Sequence, residues 1–107
     1  MHRSHLNDQA VVQPILDMAT EVGSDGFCRE QTAMIARPDS RPLLVEIHMP
    51  TVVIVGRQDQ GTPLSRAQEM AADIANARLV IIEDCGHMAP LEKPAEVSAA
   101  LRRWLTQ

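Results

Sequence analysis

The chain has 107 residues, 45% of them hydrophobic and 22% charged, with 14 acids against 10 bases and a formal charge of −4. A chain of this size and balance suits one soluble domain able to bury a core without metal or disulfide support, and it is too short for two ordinary domains. The nine arginines and single lysine, Lys93, form no basic stripe, and Phe27 and Trp104 are the only aromatic residues. Nucleic acid and an anionic membrane surface are therefore not expected as partners. Cys28 and Cys85 are the only thiols, and neither a leader-like segment nor an apolar run near ~20 residues is present. This usage points to free cysteines in a reducing compartment and to a cytoplasmic address.

In chain order, the polar stretch from Met1 to Asn7 reads as a frayed lead-in. From Asp8 to Val22 apolar residues recur at helical spacing, and Gly23 supplies a C-terminal stop. Pro14 leaves two readings: a first-turn proline opening the helix, or a kink in one that starts earlier. Ser24 can cap a second helix to about Ala36, which the Arg37-Pro38 step closes. Pro42 then allows at most one short turn through Leu43 and Leu44 before Pro50.

The second half alternates more clearly. Thr51 to Val55 is a continuous β-branched run ending at Gly56, the pattern of a strand covered on both faces. Thr62 and Pro63 open a helix in which Ala67, Met70, Ala71 and Ile74 share a face, ending near Asn76. Leu79 to Ile82 reads as a second buried strand. Pro94 opens a last helix with Val97, Leu101, Trp104 and Leu105 on its apolar side. Strand, helix and strand in this order make a parallel unit, so the fold class is α/β. The expected division is a helical segment, 1–48, and a βαβα segment, 49–107, with strands at about 51–56 and 79–83.

In open parallel sheets, chemistry gathers in loops beyond the carboxyl ends of the strands. Here those loops are 56–63, which carries Asp59, and 83–90, which carries Cys85, His87 and Met88. Adjacent strands lie about 4.8 Å apart, so Asp59 and His87 can meet. Such a pair suits general-base work: the carboxylate fixes one ring nitrogen and the other accepts a proton. Read alone, Asp59 equally suits a turn residue capping local amides, and His87 a loop histidine. Met88, next to His87, is a candidate pocket-lining residue. Cys85 lacks the setting that activates a nucleophilic thiol, and Cys28 reads as a small packed residue. His2 and His5 make a poor metal site, and neither a metal nor a cofactor is expected.

The run from Met49 to Leu105 resembles the C-terminal end of the α/β-hydrolase family. The features that carry the likeness are a proline before a buried strand, Gly56-x-x-Asp59 followed by Thr62-Pro63, a second strand, Gly86-His87, and Glu92-x-Pro94 opening the final helix. The resemblance implies a partial α/β-hydrolase fold with Asp59 as the triad acid and His87 as the base. It also implies that residues 8–44 derive from the cap, and that the substrate is a carboxylic ester or enol-lactone. One family feature has no counterpart. The serines are Ser4, Ser24, Ser40, Ser65 and Ser98, and none lies in a Gly-x-Ser-x-Gly elbow. The expectation is therefore a truncated C-terminal part, inactive alone, that completes its site with the N-terminal half of a hydrolase. The alternative expectation is a non-catalytic module that dimerises through an open sheet edge.

Overall fold

The computed structural model describes all residues, Met1–Gln107. Helix α1 spans Gln9–Ala36 but is two helices in one run, because Gly23 breaks the helical path with φ 72° and ψ 173°. Glycine adopts a left-handed φ at no steric cost, which is why the break falls there. Asp8 caps the start by accepting the Ala10 amide at 3.0 Å, so the helix begins before Pro14, which lies inside it. Ser24 makes no side-chain capping bond, contrary to the expected cap. A 3₁₀ turn over Arg41–Glu46 follows, opened by proline.

Strand β1, Thr51–Gly56, and strand β2, Ala77–Ile82, pair in parallel from Thr51 opposite Ala77 to Gly56 opposite Ile82. Helix α2, Leu64–Asp73, connects them, and α3, Ala89–Glu92, and α4, Pro94–Leu105, follow β2. Side chains alternate across the sheet. Val53, Val55, Leu79 and Ile81 pack with Ala67, Leu64 and Ala71 of α2. Ile54, Val80 and Ile82 take the other face with Cys85, Ala89 and Val97. Each strand thus has helix on both sides, as the unbroken apolar runs require. The Trp104 indole N–H donates to the Pro50 carbonyl at 3.0 Å and ties α4 to the foot of β1.

The lead-in is not frayed. Arg3–His5 form a 3₁₀ turn, the His2 amide donates to Glu92 at 2.7 Å, and the His5 ring bonds the Asp84 carbonyl at 3.1 Å. A polar segment looks solvated in one dimension, but here its partners lie some eighty to ninety residues away.

Of helix α1 only Val11 and Gly26 are buried. Leu16, Phe27 and Met34 are exposed, and Ile35 is 85% exposed. The Cα radius of gyration is 15.5 Å, against about 13 Å for a compact domain of this length. Cys28 lies on the same helix and is exposed, not packed, because its surroundings offer no second layer. No helix is long and apolar enough to cross a membrane.

Candidate functional site

The loops after β1 and β2 are stitched together before any functional side chain is placed. The Arg57 amide continues the ladder onto Ile82 O at 2.9 Å, and the Gln58 amide donates to Cys85 O at 2.9 Å. In return the Cys85 amide donates to Gln58 Oε1 at 3.0 Å. Gly56 permits this crossing, since a Cβ there would overlap the carbonyl oxygens of Cys85 and Gly86. Arg57 and Glu83 close the outer rim with a forked ion pair at 2.8–2.9 Å.

On this base Asp59 and His87 meet. His87 Nδ1 lies 3.0 Å from Asp59 Oδ2. The Asp59 side chain is 6% exposed and the His87 ring 54%. The carboxylate is fully engaged: Oδ1 accepts the Gly61 and Thr62 amides at 2.9 Å each, and Oδ2 also accepts the Thr62 hydroxyl at 2.9 Å. Asp59 thus caps its own loop with both oxygens and meets the histidine through Oδ2. Burial pushes the Asp59 carboxyl up, but the Thr62 amide, the His87 ring and the Thr62 hydroxyl outweigh it and hold the group below its ordinary value. An ionised carboxylate offers no proton, so the bond assigns the ring proton to Nδ1. Nε2 is then a free acceptor with no protein partner, on a ring open to solvent. Chemically the pair can take a proton at Nε2 and stabilise the resulting imidazolium.

Met88 is half-buried at the N-cap of α3, where its amide donates to Glu92 Oε2 at 2.9 Å. Cys85 is completely buried, and burial pushes its thiol up to about 11, which removes it as a nucleophile at neutral pH. His2 Nδ1 is engaged by the Ser4 hydroxyl and amide, and His5 Nε2 by the Asp84 carbonyl. A surface groove between the end of α1 and α2 reaches Asp59 and Thr62 and is lined by Met34, Arg37, Leu44 and Met70. His87 is not on its walls.

Three residues of this arrangement escaped the sequence reading. Thr62 was legible only as a helix opener, although a Thr three residues after an Asp in a Gly-containing loop is the pattern of a side-chain-closed turn. Gln58 gave no signal. In the sequence Glu92 stands out only for its place before Pro94, while its carboxylate bonds the backbone around His87.

Residues 9–94 match the model of the alpha/beta hydrolase fold family. Monoacylglycerol lipase ABHD6 of Mus musculus is 31% identical over 94 residues, 84% of this chain and 27% of the relative. The structure of a thermophilic esterase from Thermogutta terrifontis superposes with a TM-score of 0.89 at 34% identity, over 97% of this chain and 39% of that one. Est816, described as an N-acyl homoserine lactone degrading enzyme, gives 0.56 at 36% identity over 59% of this chain and 24% of its own. The chain thus spans about a quarter of the length of the curated relatives it matches. With four fifths of its residues inside the family model and two parallel strands carrying an acid and a histidine on neighbouring loops, the chain belongs to the α/β-hydrolase fold family.

Proposed function

We propose that this chain supplies the acid and the base for serine-type hydrolysis of a carboxylic ester or lactone, with Asp59 orienting His87. The observation that carries the reading is the 3.0 Å bond from His87 Nδ1 to a buried carboxylate, with Nε2 left open. His87 deprotonates a serine through Nε2, then activates water against the acyl-enzyme, while Asp59 steadies the imidazolium. The names of the relatives, a lipase, an esterase and a lactone-degrading enzyme, support an ester or lactone bond. On this reading Met88, beside His87, lines the substrate pocket, and residues 8–44 serve as cap. The 107 residues contain no Gly-x-Ser-x-Gly, so the nucleophile and oxyanion donors come from residues outside them, in the same polypeptide or another.

The test uses a chromogenic ester. The 107-residue chain alone turns over none. Hydrolysis appears on adding a polypeptide that carries the elbow-bearing half of a related hydrolase, and is lost again with His87→Ala. Activity of the chain alone that His87→Ala abolishes refutes the two-part reading. Restored activity indifferent to His87→Ala refutes the acid–base reading.

A second reading, as a non-catalytic association module, is favoured by two observations. The sheet has only two strands, so each keeps an unpaired edge, and α1 leaves large apolar side chains in solvent. On this reading the chain dimerises in solution. A stable monomer at high concentration by size exclusion with light scattering would sink it.

A further inference from the structure

Glu92 is the one buried carboxylate besides Asp59, at 5% exposure. It stands at the end of the four-residue helix α3, and its side chain turns back toward the start of that helix. Oε1 accepts the Gly86 amide at 3.0 Å and the His2 amide at 2.7 Å, and Oε2 accepts the Met88 amide at 2.9 Å. A carboxylate that merely capped a short helix would be satisfied by the amide at the N-cap, here Met88. This one also reaches two residues further upstream. The two amides it gathers from this loop are those on either side of His87. Burial opposes its charge, but the three amides hold Glu92 ionised below its ordinary range.

We infer that Glu92 is a positioning residue for His87: one buried carboxylate spans the amides of residues 86 and 88 and so fixes the backbone from which the imidazole reaches Asp59. The inference rests on the acid–base reading above. Gly56 and Gln58 support the same loop from the β1 side through Cys85 and Gly86. Glu92 holds it from the α3 side. The histidine is more than half exposed and is held at Nδ1 alone, by Asp59 at 3.0 Å and Thr62 at 3.3 Å, so keeping the ring in reach of them depends on the backbone that carries it. Glutamine at position 92 keeps the volume and one acceptor but sets an NH₂ group against an amide donor, and aspartate keeps the charge but retracts it by one methylene.

The experiment is amide hydrogen exchange and imidazole ¹H–¹⁵N spectroscopy on the full chain, with Glu92→Gln and Glu92→Asp beside it. In the unaltered chain the Gly86 and Met88 amides are protected and the His87 Nδ1–H gives a downfield line. In Glu92→Gln those two amides exchange about tenfold faster or more and the line broadens away, while amides of the β1–β2 ladder keep their rates. Should Glu92→Gln not fold, Glu92→Asp is read the same way. A His87 line that persists in the variants overturns the role of Glu92 alone. Equal acceleration of loop and ladder amides overturns it too, since the carboxylate then only holds the fold. A downfield line missing from the unaltered chain instead refutes the Asp59–His87 pair, and the inference falls with it.

Discussion

Replacing Asp59 by Asn changes almost no volume, yet it should reverse the histidine. The amide oxygen can stay on the Gly61 and Thr62 amides, which donate to Oδ1 in the native loop. The NH₂ group then occupies the Oδ2 position, facing the Thr62 hydroxyl and His87 Nδ1. The hydroxyl can rotate its hydrogen away and accept. The imidazole can accept only by surrendering its Nδ1 proton, so the ring changes to the Nε2–H tautomer and its outward nitrogen ceases to be a base. Hydrogen bonds to charged groups contribute about 1.5–3 kcal/mol, and the 54% exposure of His87 discounts its share. The net loss is about 2 kcal/mol, a fall in Tm of about 10 °C. In a complete triad the same change costs about 10⁴ in kcat. Two-bond ¹H–¹⁵N correlation of the imidazole rings reads the tautomer directly, and thermal denaturation reads the stability. A variant that keeps its proton on Nδ1 with an unchanged Tm would show that the carboxylate does not orient the ring.

Gly56→Ala attacks the crossing of the loops instead. Its Cβ would overlap the Gly86 and Cys85 carbonyl oxygens and sit 2.7 Å from the Cys85 carbonyl carbon, backbone against backbone, so the loops must part by about 1 Å to reach ordinary contact. We expect a loss of about 2–3 kcal/mol and disappearance of the His87 Nδ1–H line; a variant with native Tm refutes the packing argument. Acid should unfold the chain through the same carboxylates. Asp59 and Glu92 both have folded-state values held below the unfolded ones, so their contribution is complete above the ordinary carboxylate range and is lost as pH falls through it and below. Tm should be flat from about pH 7 to 5 and drop below about 4, with a shallower acid limb in Asp59→Asn; equal limbs would exclude Asp59 as a contributor. Thiol labelling at neutral pH should modify Cys28 at once and Cys85 at least about 100-fold more slowly, because Cys85 is buried and its thiol stays protonated. Two equal rates would mean that the loop beyond β2 opens freely.

Much of the α/β half was legible because its signals are local. The runs at Thr51–Val55 and Leu79–Ile82 declare strands by β-branching and brevity, Pro63 and Pro94 mark helix starts, and Gly23 marks the break in α1 by its freedom of φ. The helical first half was legible in its elements but not in its packing. Cys28 looked like core because its neighbours repeat at helical spacing, yet spacing cannot say whether a second layer lies against that face.

The candidate acid Asp59 and candidate base His87, and the order of the loops that carry them, are legible in the sequence, since each loop is marked by residues within a few positions. What only the tertiary structure decided is how those loops are held against each other: Gly56 beneath the Cys85 and Gly86 carbonyls, Gln58 bonded to Cys85, and the His2 amide on the Glu92 carboxylate. The lead-in from Met1 to Asn7 belongs here too, because a polar stretch docks or frays according to partners eighty and ninety residues away. Hydrogen bonds between distant segments leave no periodicity to read. They exist only once parallel pairing has brought residues 56 and 82 side by side.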